Sequence, residues 1–345
     1  MFNYDKIKTV QLELTMSCNA ACPQCARNVN GIEIPNLPKI SWTIDKIKSC
    51  FSKEFIEQLD LIYFCGSHGD PFMCVDFLDI AKYFTECNPK IKIGVHTNGS
   101  LRSTKFYEEC AKNIDFIAFA IDGLEDTNHL YRKNCKWTKI IDNASAFINA
   151  GGHAEWDYVV FKHNQHQVNE AKQVSERLGF KNFNVKKTSR FLNYNHKLVD
   201  YYDTSDGHKI YPPTDVKYLN KAYDKLKSTN LQEYKKQTCI SCNSLRIREI
   251  YISADGYIFP CGWLSDRVYQ TTVLGTNDNL KILEQIKKFP SNIFKASIKE
   301  IVNGEWFKYI KNSWTNNNRL DRCAIMCGSG INIIGEQNTD VSYKI

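Results

Sequence analysis

Up to about residue 190 the chain alternates short apolar runs with amphipathic stretches. The runs VQLEL (10–14), LDLIYFC (59–65), KIGVHT (92–97), FIAFAI (116–121), AEWDYVVF (154–161) and FNVKK (183–187) have strand length and strand composition. Between them lie TIDKIKSCFSKEFIEQL, VDFLDIAKYFTEC, STKFYEECAKN, WTKIIDNASAFINAG and QVNEAKQVSERLG, which carry the apolar spacing of helices packed on one face. Strands that alternate with helices predict an α/β fold with a parallel sheet. The regularity predicts a partial (β/α)6, TIM-like barrel over residues 1–190, in which chemistry collects at the C-terminal ends of the strands. GSHGDP follows the second strand, TNGS the third and DGLED the fourth. All the unusual loops therefore fall on one rim.

From Arg190 to Thr238 the pattern breaks into a Tyr-, Lys- and Asp-rich stretch with PP and DG breakers. It is expected to hold at most one helix, around 214–228. Residues 191–238 form an insert that either covers the barrel mouth or lies on the surface. A small cysteine-rich domain is expected over 239–330, with a tail at 331–345.

The chain has 345 residues, 43% of them hydrophobic, enough for one large core with a smaller appended domain. No stretch approaches the roughly 18 apolar residues of a membrane helix, and the first residues lack a signal-peptide run. A soluble, cytoplasmic protein with no membrane partner is expected. The formal charge of +7 comes from Lys spread along the chain. That diffuse charge does not argue for a nucleic-acid partner.

Fourteen cysteines change the picture. In a reducing compartment, clustered cysteines point to metal binding or catalysis before disulfides. Cys50, Cys65, Cys74, Cys87, Cys110 and Cys135 stand singly and read as small buried hydrophobes. Cys18, Cys22 and Cys25 instead form CxxxCxxC directly behind the first strand. At a cysteine frequency of about 0.04, roughly 0.02 such matches are expected by chance in a chain of this length. Structural zinc sites usually close with four N or S ligands. Three thiolates can instead hold three irons of a cubic cluster, leaving the fourth open to a substrate or cofactor.

CNAACPQC behind a strand resembles the cluster motif of the radical S-adenosylmethionine (SAM) superfamily. The resemblance implies a 4Fe–4S cluster on Cys18, Cys22 and Cys25, with SAM on the open iron. It also implies a 5′-deoxyadenosyl radical that takes hydrogen from an unactivated carbon. The loop Cys65–Pro71 is similar to the family's Gly-Gly-Glu-Pro loop. Gly66, Gly69 and Pro71 match, Asp70 replaces Glu, and Ser67 and His68 depart from the pattern. HTNGS (96–100) resembles the Thr-Asn-Gly element, which points to Asn98. AIDGLEDTNHLYRKN (120–134) resembles the family's Ser-Ile/Leu-Asp-Gly loop and the Arg that follows it. Ala120 stands where Ser is common, Asp122 and Arg132 are polar SAM candidates, and Arg132 suits a carboxylate. Gln24 stands where an aromatic is common.

Cys239 and Cys242 form CxxC, Cys261 follows a hairpin pattern with DG at its turn, and Cys323 and Cys327 close a second group. This resembles the SPASM and twitch extensions of radical SAM enzymes, and the cysteine count fits the shorter twitch type with one auxiliary 4Fe–4S cluster. The expected ligands are Cys242, Cys261, Cys323 and Cys327, with Cys239 as the alternate; in isolation the group would read as a zinc site. Such a cluster would take up or relay an electron during oxidation of the substrate. A peptide or small polar metabolite is the expected substrate, and flavodoxin or ferredoxin the expected electron donor. Only 17 residues precede Cys18, too few for a separate peptide-recognition domain. Asp157 and Lys186, on the fifth and sixth strands, are candidates to manage a substrate proton. Two other readings stay open: a zinc-stabilised binding module, and a radical SAM fold that holds its cluster without cleaving SAM.

Overall fold

Six parallel strands lie side by side in sequence order: β1 (Thr9–Leu12), β2 (Leu61–Phe64), β3 (Lys92–Thr97), β4 (Phe116–Ala120), β5 (Ala154–Val160) and β6 (Asn182–Lys187). All six coincide with the apolar runs of the sequence. The structure is a computed structural model that describes residues 2–192, 197–266, 268–269, 277–315 and 319–337. Of the tail set at 331–345, residues 338–345 lie outside the described residues.

The strands β1–β5 read apolar because their outer faces pack under helices. Val10, Leu12, Ile62, Phe64, Ile93, Val95, Ile117, Phe119, Trp156, Tyr158 and Val160 are all buried. Phe64 meets Phe77 and Phe84 of the helix Phe77–Cys87, and Phe119 meets Tyr107 and Phe147 of the helices Thr104–Cys110 and Trp137–Asn149. Successive strand residues point to opposite faces. The alternate positions, among them Gln11, Tyr63, Gly94, His96, Ala118, Ala120, Asp157, Asn184 and Lys186, therefore form an inner face that is polar or small. The apolar core lies outside the sheet, and the concave inside is left for chemistry.

The sheet does not end at six strands. A hairpin of β7 (Glu249–Ile252) and β8 (Ile258–Phe259) extends it, with β7 parallel to β1 in the register Thr9↔Glu249 to Leu12↔Ile252. The strand order is β8-β7-β1-β2-β3-β4-β5-β6, an open barrel wall of eight strands. Gly256 makes the hairpin turn at φ 85°, a left-handed conformation that favours glycine. Trp306 locks the hairpin from outside, donating its indole N–H to the Ile258 carbonyl at 2.7 Å.

The segment 197–238 holds two helices, Ala222–Ser228 and Leu231–Gln237, where at most one was expected. Asn230 explains the second: its side chain accepts from the N–H of Gln232 and Glu233 and starts a new helix one residue after the break. The segment is tied to the loops that follow β4, β5 and β6. Tyr223 donates to the Thr188 carbonyl at 2.8 Å, Lys162 N–H donates to Tyr211, and Lys133 pairs with Asp206 at 2.6 Å.

No helix among the described residues is long and apolar enough to cross a membrane.

Candidate functional site

The loops after β1, β2, β3 and β4 converge over the C-terminal ends of the strands. One cavity there is lined by Cys18, Cys22 and Cys25 of the first loop, by Gly66 to Asp70 of the second, and by Thr97 and Asn98 of the third. Arg132, Asp157, Lys186 and the stretch Thr188–Arg190 complete its wall. Residues far apart in sequence thus share one space because the parallel strands all end on that side.

Glu13, one residue past β1, organises the second loop. Its carboxylate is buried and accepts from the backbone N–H of His68 at 2.6 Å and of Gly69 at 3.1 Å, and from the Tyr251 hydroxyl at 2.9 Å. Burial favours the neutral acid, but the His68 imidazole and these donors outweigh it and hold the carboxyl below its ordinary range. The loop runs so close to β1 that a Cβ on Gly69 would sit 1.8 Å from the Thr15 carbonyl oxygen. A Cβ on Gly66 would sit 2.6 Å from the Glu13 carboxylate. Both glycines are required by close approach. Asp70 turns inward: its oxygens accept from Thr97 Oγ1 at 3.0 Å, the Asn98 N–H at 2.8 Å and the Phe72 N–H at 3.1 Å. It splints the loop to β3.

Around the three thiols, Asn98 Nδ2 is 3.7 Å from Cys18 Sγ, and the Arg132 guanidinium is 4.0 Å from Cys22 Sγ. Arg27 holds the cysteine loop onto the second loop, donating to the carbonyls of Cys18 at 3.3 Å and His68 at 3.4 Å, and pairs with Glu33. Gln24 is buried, and its backbone carbonyl accepts from the Arg190 guanidinium at 2.7 Å. Burial pushes the Cys18 thiol up, reinforced by Asp70 and the other two cysteines, and pushes Cys22 up to about 12 although Arg132 opposes it. Buried thiols of this kind stay protonated until a cation stabilises the thiolate. As a donor set, three soft ligands beside an open, polar cavity fit a cluster with one iron left for another ligand.

Asp122 lies behind the wall and is fully buried. Its Oδ2 accepts from Arg132 Nε at 2.6 Å and its Oδ1 from the Val159 N–H at 2.7 Å. Both oxygens being engaged, Asp122 orients Arg132 and does not line the cavity.

Asp157 and Lys186 come together as an ion pair of 2.7 Å, and His96 Nε2 lies 3.4 Å from the same Asp157 oxygen. Sequence reasoning passed over His96, Glu13, Arg27 and Arg190. Glu13 was legible as the one acid in VQLEL, and His96 as an inward position of KIGVHT; nothing in the sequence marked the two arginines. Of the single cysteines, Cys74, Cys110 and Cys135 are buried as expected, whereas Cys50, Cys65 and Cys87 are only partly buried; Cys65, just past β2, acts electrostatically on His96.

The second cysteine group closes around its own small apolar cavity. Cys242, Cys261, Cys323 and Cys327 all line it, with Trp263, Trp314 and Met326. Antiparallel contacts bring the CxxC segment to the helix Asp321–Cys327: Ser241 N–H donates to the Cys327 carbonyl and Ser329 N–H to that of Cys239. Cys239 is exposed and does not line this cavity. Between the two groups lies a third space, lined by Gln24, Cys25, Ser189 and Arg190 on one side and Trp263, Asp266 and Arg322 on the other. Among the described residues, no three His, Cys, Asp or Glu side chains converge on a position for a single metal ion.

No family model matches the chain, and no curated protein sequence matches it. Its fold is that of solved structures. Native anSMEcpe with bound AdoMet matches 94% of this chain and 92% of its own at a TM-score of 0.59 and 16% identity. Streptococcus suis SuiB bound to precursor peptide SuiA matches 94% of this chain and 73% of its own at 0.58 and 16%. SuiB bound to S-adenosylmethionine matches 86% and 65% at 0.56 and 17%. At such identities the likeness is one of fold.

Proposed function

We propose that this protein is a radical SAM enzyme that abstracts hydrogen from a peptide or small polar substrate and uses an auxiliary iron–sulfur cluster. One observation carries the reading: CxxxCxxC, the glycine loop, Asn98 and Arg132 line a single cavity at the strand ends. The shared fold with structures holding AdoMet supports it, and the peptide bound to SuiB supports a peptide substrate.

In this reading Cys18, Cys22 and Cys25 would hold a 4Fe–4S cluster, which would supply the electron needed for reductive cleavage of SAM. The chain's own residues bind and orient. Arg132, held by Asp122, offers a guanidinium to the SAM carboxylate. The backbone of Gly66–Gly69, held in place by Glu13, offers its polar groups to the SAM amino group. Asn98 and Arg27 brace the cysteine loop from opposite sides. Cys242, Cys261, Cys323 and Cys327 are the ligands for an auxiliary cluster, a donor set that four-thiolate zinc would share. The ion pair of Asp157 bears on its candidacy as a base: burial favours the neutral acid, yet Lys186 and His96 hold its carboxyl well below the usual range. Asp157 is then a poor proton acceptor, and it serves to position the two cations.

The test is anaerobic reconstitution with iron and sulfide, followed by dithionite and SAM and detection of 5′-deoxyadenosine by mass spectrometry. About eight irons are expected, as in two cubane clusters. A Cys18→Ala/Cys22→Ala/Cys25→Ala protein should lose half the iron and all the product. Binding of zinc in place of iron, or iron without SAM cleavage, would overturn the reading.

A further inference from the structure

On the inner face of the sheet, in the cavity that the cysteine loop also lines, three strands contribute to one oxygen. Asp157 Oδ2 on β5 is 2.7 Å from Lys186 Nζ on β6 and 3.4 Å from His96 Nε2 on β3, while Asn184 donates to Oδ1 at 2.9 Å. One carboxylate therefore faces two basic groups. Burial disfavours a charged imidazole, but the hydrogen bonds to Asp157 and Cys65 outweigh it and lift His96 to about 9. His96 is thus a cation at neutral pH.

The other charges lining the cavity are matched elsewhere. Arg132 is held by Asp122 and lies against Cys22. Arg190 donates to the Gln24 carbonyl and stands near Cys25. Asp70 is surrounded by donors from β3 and its own turn. Glu155, two residues before Asp157 on β5, is engaged by Asn182, Asn184 and His153. Among the described residues, His96 and Lys186 are two basic groups that share the single Asp157 oxygen, with Asp70 and Cys65 also acting on His96. The Ser189 hydroxyl and the His68 Nε2 also belong to the cavity wall, lie on residues more than nine-tenths buried, and have no hydrogen-bond partner among the described residues, whereas His68 Nδ1 faces Glu13 at 3.6 Å. Buried polar atoms are ordinarily satisfied, so such atoms mark where a ligand supplies the partner. Two basic groups converging in a confined, low-dielectric space attract an anion far more strongly than they would in water.

Resting on the enzyme reading above, we propose that the substrate carries a carboxylate that docks against His96 and Lys186 inside the barrel, with the attacked carbon on the side of the cysteine loop. The acid belongs either to a side chain of a peptide or to a free metabolite, and the chemistry at the wall is the same.

The test uses the reconstituted holoprotein with SAM and four probes: glutarate, glutaramide, acetyl-Gly-Glu-Gly-amide and acetyl-Gly-Gln-Gly-amide. Binding is read by calorimetry and by NMR of 13C-labelled histidine. At least one acid should bind about tenfold or more tightly than its amide, with the His96 resonance moving. Preference for glutarate points to a metabolite, and preference for the Glu peptide to a peptide. His96→Gln and Lys186→Met should each remove that preference. In Asp157→Asn the His96 midpoint should fall in the free protein and be raised again by bound acid but not by its amide, a coupling that a purely structural role would not produce. Iron content and the melting midpoint report folding in each variant. Equal binding of acid and amide, no binding of either acid, or unchanged preference in folded His96→Gln and Lys186→Met proteins would overturn the proposal. 5′-Deoxyadenosine is assayed in parallel without probe. Product without acid binding sinks this inference alone, and acid binding without product sinks the enzyme reading alone.

Discussion

Glu13 reaches the backbone N–H of His68 at 2.6 Å, so an acid at the end of the first strand fixes the loop that follows the second. The same carboxylate accepts from Tyr251 on β7, and one buried group therefore joins the barrel, the glycine loop and the C-terminal hairpin. Removing the charge leaves those donors facing a weaker acceptor in a buried site. Glu13→Gln should destabilise the protein by about 2–3 kcal/mol, the range for losing hydrogen bonds to a charged group. Thermal melting checks the stability, and the SAM dissociation constant should rise because the loop is no longer held.

Gly69→Ala is expected to be worse for the site than for the fold. Its Cβ would fall 1.8 Å from the Thr15 carbonyl, backbone against backbone, so the loop must move. Overpacking of this kind costs roughly 1–3 kcal/mol. Reconstituted Gly69→Ala protein should keep its iron and lose SAM binding, as measured by equilibrium dialysis with labelled SAM.

Asp122→Asn keeps the shape and removes the charge that aims Arg132. With a neutral partner at 2.6 Å from Nε, the guanidinium is free to turn toward Cys22. SAM affinity should fall by about tenfold, the size of one charge-assisted hydrogen bond. If dialysis shows unchanged affinity, Arg132 does not contact SAM.

The pH dependence has a definite sign. His96 titrates at about 9 in the folded chain against an ordinary 6.5, so its protonation stabilises the fold. That contribution is complete below about 6.5 and disappears as the pH rises through about 9. Histidine NMR should place the His96 midpoint near 9, and Asp157→Asn should bring it down. A midpoint that ignores the substitution would remove Asp157 as the cause.

Cys242→Ser should cost the auxiliary group its iron, whereas Cys239→Ser should not, because Cys242 lines the apolar cavity and Cys239 is exposed. Iron per chain, counted in both variants on the Cys18→Ala/Cys22→Ala/Cys25→Ala background, separates them.

Much was legible before any coordinates. Period and composition gave the strands β1–β6 and the helices between them, since a strand covered by helices must be apolar on its outer face whatever lies inside. CxxxCxxC and the rim loops could be read because local spacing and turn chemistry are properties of adjacent residues. The DG turn likewise marked the hairpin of β7 and β8.

Other features depend on contacts between distant residues. That β7 pairs with β1 and not within a separate sheet is a matter of register across some 240 residues, which no local pattern encodes. Arg27 and Arg190 carry no signal of their own, because an arginine's role is set by the carbonyl it reaches. Asp122 looked like a cavity residue and proved to stand behind Arg132. That Cys242 lines an apolar cavity while Cys239 is left in solvent was decided by how the chain folds, not by the hairpin spacing that favours Cys242 in the sequence. The sequence by itself determined which elements form and which residues have the chemistry. Tertiary structure decided which of them meet, because an open barrel brings the ends of parallel strands to one side and lets side chains from β3, β5 and β6 share a single oxygen of Asp157.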